Sequence, residues 1–186
     1  MQIIHFVITF VIIFITLYAY GFAVSNKIYK HKNLDIFFTI LVGYIVIGTF
    51  TLILHFFFKI NNFISIFFIT SSFIILYYFR HKINIKKQIL SILFILLTSF
   101  FLFGYSDHPI DTNMYHHPYV SYLKSEKIIF AIANIQFRFG HISFLQYVQS
   151  ALTNDYLHEI SLASINIILY TCFIIFISGK IINTKK

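Results

Sequence analysis

The residues best suited to chemistry are concentrated in one stretch, YSDHPIDTNMYHH, which covers residues 105–117. It contains two aspartates and three histidines, in a chain that is 59% hydrophobic and only 11% charged. The two prolines of the chain, Pro109 and Pro118, lie within this stretch and directly after it. Carboxylate and imidazole groups serve as general acids and bases and as ligands of metal cations. The stretch therefore predicts proton-transfer or metal chemistry.

The spacing of these groups gives little support to a metal centre. Asp107 and Asp111 are four residues apart around a proline, and two carboxylates alone are a weak metal signature. Asp is also a favoured helix N-cap, so a purely structural role for Asp111 stays open. No HExxH motif is present, and the adjacent His116 and His117 would point to different faces of a helix. We expect no protein-held metal site and leave a divalent cation open as a cofactor.

Arg138 lies in the apolar sequence NIQFRFGHIS. A guanidinium group is costly in apolar surroundings unless it meets a phosphate or a carboxylate. One interpretation is a phosphate at headgroup depth, from a lipid or a lipid-linked substrate. The alternatives are snorkelling to the membrane surface or an ion pair with Glu126 or Asp155.

Three tyrosines, Tyr115, Tyr119 and Tyr122, follow one another at helical spacing. Such a stripe is typical of the aromatic belt at a membrane surface. Aromatic faces also stack on sugar rings, and that interpretation stays open.

The elements that position these residues are membrane-spanning helices. The mean hydropathy is +0.82, and five runs of about 19–23 residues contain no Asp, Glu, Lys or Arg. A helix of about 20 residues crosses about 30 Å of hydrocarbon. The sequence predicts an all-α, polytopic transmembrane bundle of about five spans, with runs at 3–24, 36–58, 60–79, 88–106 and 160–179.

The net charge of +8 is arranged for membrane orientation. Ten of the fourteen basic residues fall in alternate connections, as the positive-inside rule requires of cytoplasmic loops. This arrangement predicts a multi-pass membrane protein with the N-terminus outside and the C-terminus in the cytoplasm. It also excludes a nucleic-acid footprint. The ten residues are Lys27, Lys30, Lys32, Arg80, Lys82, Lys86, Lys87, Lys180, Lys185 and Lys186.

Three regions follow from this pattern. Residues 1–104 hold four transmembrane helices with short basic cytoplasmic loops, residues 105–159 form one long outer-face loop, and residues 160–186 hold the fifth helix and a basic tail. A loop of this length between tight spans is usually functional.

Short helices are expected within the long loop. Pro118 suits the first turn of a helix that ends near Lys124, and residues 143–153 have the amphipathic pattern of a helix lying in the membrane interface. A sixth span over 128–152 is disfavoured, because a buried Arg138 would cost about 2.5–3.5 kcal/mol. An interfacial or re-entrant segment is expected there instead.

One part of the loop resembles a known family. DTNMYHHPYVSYLKSEKIIFAIANIQFRFGHISF looks like a loop of large bacterial membrane proteins that resemble the GT-C glycosyltransferases. The shared pattern is D-T-x-x-Y-H, then a basic and an acidic residue, then A-N-x-x-x-R-F-G-x-x-S. The chain departs from it with Asn113 for Gly, Gln136 for His, Phe137 for Gly, and His141–Ile142 for Phe–Asn. GT-C proteins usually have eight or more spans, so the resemblance implies a truncated chain or a partner membrane chain.

The resemblance implies transfer of a sugar from a polyprenyl-phosphate donor on the outer face, in envelope polysaccharide or glycolipid assembly. It makes Asp111 the expected base. Arg138 and Lys124 are then phosphate contacts, while the residues expected to position donor or acceptor are Tyr115, His116 and Asn134. The alternative is a non-catalytic membrane fragment or accessory subunit that binds lipid or a partner bundle. A transporter fits poorly, because no charged residue lies convincingly inside a span.

Overall fold

Four long apolar helices make up most of the computed structural model, which describes residues 2–28, 35–83, 92–93, 95–97, 117–129, 143–157 and 160–184. They are α1 (Gln2–Ile28), α2 (Ile36–His55), α3 (Asn62–Phe79) and α6 (Ile160–Thr184). Two helices of nine residues each, α4 (His117–Ser125) and α5 (Phe144–Leu152), lie between α3 and α6 in the sequence. A 3₁₀ turn, Arg80–Lys82, follows α3.

The long helices confirm the predicted fold class. Each contains at least eighteen residues of high hydropathy, so each is long enough to cross a membrane. No strand occurs in the described part of the chain. The protein is therefore an all-α helical bundle of the membrane class.

Four of the five predicted runs coincide with these helices. The fourth run, 88–106, lies mostly outside the described residues. Its described positions, 92–93 and 95–97, are helical, and Ile95 is completely buried in the main core. This short piece therefore packs one face against the bundle, while Leu93 and Leu97 remain exposed.

The helix starts of α2 and α3 follow from capping residues. The Asp35 side chain accepts a hydrogen bond from the Phe37 backbone N–H at 3.0 Å, and Asn61 accepts one from the Ile64 N–H at 3.2 Å. Each satisfies a donor that the first helical turn leaves without a partner. α2 ends at His55, three residues before the charge-free run ends, because Phe56–Phe58 form a turn.

The backbones of α1 and α2 touch through two glycines. A Cβ atom at Gly21 would overlap the carbonyl oxygen of Thr39, and one at Gly43 would overlap that of Leu17. Small residues permit such close approach between membrane helices. α3 packs on the other side of α1, where the Tyr20 hydroxyl lies 2.6 Å from Ser71 Oγ.

The bundle has two distinct ends. At the loop end, the first turn of α1, the last turn of α2 and the first turn of α3 meet α4, α5 and the residues after α5. At the basic end, Phe22 contacts Phe79, and Phe37 stacks on Phe176. Lys27, Arg80, Lys82 and Lys180 belong to the basic end, so the described basic connections share one side of the bundle.

The position of α5 differs from the prediction. The amphipathic pattern predicts that Gln146, Gln149 and Ser150 leave the apolar side and meet the interface, but every residue from Gln146 to Leu152 is buried. The reason is that α5 packs against α2, α3 and α6 and is covered by α4. A continuous helix over 128–152, which the sequence disfavours, is not formed, since Ser143 is extended and residues 128 and 129 are not helical.

α5 enters the bundle at a glycine. The ring of Phe144 fills the space that a Cβ atom at Gly48 would need, and it packs on Tyr44 with ring centroids 5.4 Å apart. Gly48 lies seven residues before the end of α2, which corresponds to about 10 Å along the helix axis. The N-terminus of α5 therefore packs against α2 well inside the loop end of the bundle.

Candidate functional site at the loop end

One of the six predicted site residues lies in the described part of the chain. Lys124 is in the last turn of α4. The others, Asp111, Tyr115, His116, Asn134 and Arg138, lie outside the described residues. In sequence, the first three lie within the six residues before His117, where α4 begins, and the last two fall between Ile129 and Ser143.

The half-buried Lys124 joins α4 to the end of α5. Its Nζ donates a hydrogen bond to the Thr153 carbonyl oxygen at 2.9 Å. Burial lowers the pKa of Lys124, and the negative charge of Asp155 partly opposes this shift. An ammonium group has three N–H donors, so the contact with Thr153 leaves two for a ligand. Lys124 thus has a structural contact beside its predicted role.

A buried polar chain centres on His55, at the end of α2. His55 Nε2 lies 3.0 Å from the Glu126 carbonyl oxygen, and Nδ1 lies 3.0 Å from the Tyr147 hydroxyl. A carbonyl oxygen only accepts, so Nε2 carries the hydrogen. In the neutral imidazole, Nδ1 then accepts from Tyr147, whose own oxygen pairs with the Tyr119 hydroxyl. Burial raises the pKa of Tyr147, so this hydroxyl keeps its proton.

The predicted tyrosine stripe is used inside the protein. Tyr119 is 5% exposed and packs with Leu123 and Tyr147, so the expectation of an exposed aromatic belt is wrong at this position. The Tyr122 hydroxyl donates to the Lys127 carbonyl oxygen at 3.1 Å and accepts from the Ile129 N–H at 2.9 Å. Tyr115 lies outside the described residues. Tyr119 therefore packs α4 against α5, and Tyr122 binds the residues that follow α4.

The residues after α5 bind to the starts of α1 and α3. Asn154 donates from Nδ2 to Ser65 Oγ at 3.0 Å, and its Oδ1 accepts from the Leu157 N–H at 2.9 Å. Asn62 donates to the Asp155 carboxylate, and His5 Nε2 donates to the Tyr156 carbonyl oxygen at 2.8 Å. These contacts tie the residues after α5 to both α1 and α3.

A pocket of about 520 Å³ opens beside this network. The turn after α2 forms one wall, and the residues at the end of α4 form the other. Two lysines, one carboxylate and three large apolar side chains face the pocket, together with an amide and a hydroxyl. The lining residues are Phe58, Lys59, Asn61, Ser125, Glu126, Lys127, Ile128 and Ile129.

Sequence reasoning missed His55, Tyr147 and Asn154. His55 ends an apolar run, and Tyr147 lies 92 positions further along the chain, so no local pattern connects them. The one available signal was a titratable ring at the end of a span. Among the described residues, no group of three or more His, Cys, Asp or Glu side chains is placed to hold a metal ion.

Fold and site together define an all-α, multi-pass class of membrane protein, in which a long connection folds back onto one end of the bundle. The chain belongs to the family described as a domain of unknown function (DUF8201), whose model matches residues 3–186. No curated protein and no solved structure matches the chain.

Proposed function

We propose that the chain is a GT-C-like protein of envelope polysaccharide or glycolipid assembly, which transfers a sugar from a polyprenyl-phosphate donor. The reaction takes place on the outer face of a bacterial inner membrane, at the loop end. The N-terminus is outside and the C-terminus is in the cytoplasm. The motif from Asp111 to Ser143 carries the resemblance on which this proposal rests.

The observation that best supports the proposal is the anchoring of the loop around this motif. α4 begins one residue after His116, and its last turn is tied to the end of α5 through Lys124. Ile129 is held by Tyr122, and Phe144 is seated on Gly48. The stretches that carry the predicted residues therefore start or end at fixed points of one end of the bundle.

The proposed reaction uses a carboxylate base and two cations. Asp111 takes the proton of the acceptor hydroxyl, whose oxygen attacks the anomeric carbon of the donor sugar. The bond between that carbon and the donor phosphate breaks, and its electron pair leaves on the phosphate oxygen. Arg138 and Lys124 stabilise the phosphate charge. Tyr115, His116 and Asn134 orient the two sugars, and a divalent cation is the one cofactor that this chemistry would use.

An Asp111→Asn substitution tests the proposed base, and Asp107→Asn is its matched control. General-base catalysis contributes about 10²–10⁴-fold, so we expect Asp111→Asn to lower the amount of the dependent envelope glycan by at least tenfold. A gene deletion should produce the same loss. When expressed in the deletion strain, Asp107→Asn should restore the wild-type glycan profile. If Asp111→Asn restores it while the deletion does not, Asp111 is not the base.

An accessory subunit is the second candidate, and the surface of α3 favours it. Only 17% of the apolar window of this helix is buried within the bundle. Phe63, Phe67, Ile74 and Tyr78 are exposed along one side, which suits lipid or a partner membrane chain. A glycan that is lost in the deletion strain and unchanged with Asp111→Asn would support this function instead.

A further inference from the structure

The pocket at the loop end has walls that are fixed by hydrogen bonds. Its two sides are the turn after α2 and residues 125–129, which follow α4. The Ile60 N–H donates to the Leu123 carbonyl oxygen at 3.0 Å, and the Ile128 N–H donates to that of His55 at 3.3 Å. His55 and Tyr122 add the side-chain contacts already described to Glu126, Lys127 and Ile129. Hydrogen bonds therefore fix the positions of both walls of the pocket relative to each other.

Two cations, Lys59 and Lys127, line the pocket, and their ammonium groups have no partner among the described residues. Within the part of the chain that the structure describes, no hydrogen bond or ion pair involves the ammonium group of Lys59 or Lys127. Both residues are exposed at the mouth. The Glu126 carboxylate also lines the pocket, so the formal charge of the described lining is +1. That charge matches one phosphodiester.

The remaining lining is apolar on one side and hydrogen-bonding on the other. Phe58 and Ile129 are exposed by 59% and 44%, so they present apolar surface beside the two ammonium groups. Asn61 and Ser125 add polar groups that suit hydroxyl groups of a ligand. An amphiphile that carries both an anionic and an apolar part fits this lining.

The position of the pocket matches the depth of lipid headgroups. It lies where α2 ends and α3 begins, at the loop end of two helices long enough to span the membrane. Phe56, Phe57 and Phe58 form an exposed aromatic turn at this level. Apolar side chains next to a lysine suit the boundary between acyl chains and headgroups, where the phosphates of lipids lie.

We propose that this pocket binds one anionic phospholipid, with its phosphodiester between Lys59 and Lys127 and its acyl end against Phe58 and Ile129. Headgroup hydroxyls, as in phosphatidylglycerol, meet Asn61 and Glu126. A free phosphate would gain the cations but not the apolar wall. Lys124, the one described residue among those proposed for sugar transfer, does not line this pocket.

Native mass spectrometry of the full chain in a non-ionic detergent tests this site. The lipid probes are phosphatidylglycerol and phosphatidylcholine with identical acyl chains and a polyprenyl monophosphate, and inorganic phosphate serves as a competitor. We expect the double variant Lys59→Gln/Lys127→Gln to bind phosphatidylglycerol at least tenfold more weakly than the wild type. Lys27→Gln/Lys82→Gln, with the same net charge change at the basic end, should bind like the wild type. Lys59→Arg/Lys127→Arg should keep the binding.

Four results would overturn the assignment. The first is equal binding of both phospholipids by the wild type, and the second is an equal loss of binding in the pocket and control variants. The third is full displacement of the lipid by millimolar inorganic phosphate. The fourth is tighter binding of a polyprenyl monophosphate than of phosphatidylglycerol. The last would assign the pocket to the sugar donor and not to a phospholipid. Because none of the probes requires sugar transfer, the result is independent of Asp111.

Discussion

At the scale of single residues, the loop end depends on a few buried polar atoms whose partners are far away in the sequence. His55, Tyr147 and Tyr119 form one chain of hydrogen bonds, and Asn154 and Ser65 form a separate pair. A buried donor or acceptor that loses its partner costs about 1–3 kcal/mol. These contacts therefore decide whether α4 and α5 stay docked.

Removal of the Tyr147 hydroxyl should destabilise the protein. In Tyr147→Phe, His55 Nδ1 stays buried without its donor, so we expect the free energy of unfolding to fall by about 1–3 kcal/mol. Denaturant unfolding in detergent measures the change. Tyr78→Phe is the control, because that side chain is 78% exposed. Equal effects of the two substitutions would show that the His55 contact contributes nothing.

Lys124 should make stability depend on pH. Burial holds its pKa below the ordinary value of 10.5, so the unfolded chain binds the proton more tightly than the folded chain. Between the lowered pKa and 10.5, stability should therefore rise with pH through this group. We expect the melting temperature of the wild type, measured relative to that of Lys124→Met, to increase with pH over this range. Parallel pH curves for the two proteins would contradict the assignment.

At the scale of elements, length and charge decide much of what the sequence predicts. The helices α1, α2, α3 and α6 fall on charge-free runs because a span of hydrocarbon needs about 20 apolar residues. Their ends are less predictable, since Phe56–Phe58 are as apolar as the helix before them yet form a turn. α4 begins next to Pro118, as the proline predicts.

The burial of α5 shows where local patterns fail. Gln146 and Gln149 are typical of a water-facing side, and their sequence neighbours give no sign that α4 covers them. The seat of Phe144 on Gly48 likewise joins residues 96 positions apart, so it depends on tertiary packing alone. Of the six predicted site residues, Lys124 lies in the described part of the chain. It donates a hydrogen bond to the Thr153 carbonyl oxygen, which no local sequence pattern indicates.

A methyl group at Gly48 should displace α5. The added Cβ would overlap the Phe144 ring, and overpacking of this kind costs about 1–3 kcal/mol. We expect Gly48→Ala to lower the unfolding free energy and to increase protease cleavage near α5. Gly179→Ala is the control, since a Cβ there has open space. Because Phe144→Ala removes the ring that the added Cβ would meet, the effects of Gly48→Ala and Phe144→Ala should be non-additive in the double variant, and additive effects would contradict this contact.

At the scale of the whole molecule, the account depends on which side of the membrane the loop end faces. The basic end carries the described lysines of the alternate connections, and the loop end carries α4, α5 and the lipid pocket. The positive-inside rule places the basic end in the cytoplasm. Both the proposed sugar transfer and the proposed phospholipid site then belong to the outer leaflet.

Labelling of single cysteines with a membrane-impermeant maleimide tests this orientation most directly. The native Cys172 is completely buried in α6, so its background should be low. In spheroplasts, we predict that Ser125→Cys at the loop end reacts at once, while Lys82→Cys at the basic end reacts only after the membrane is permeabilised. Reaction of Lys82→Cys in intact spheroplasts, with Ser125→Cys protected until permeabilisation, would contradict the account.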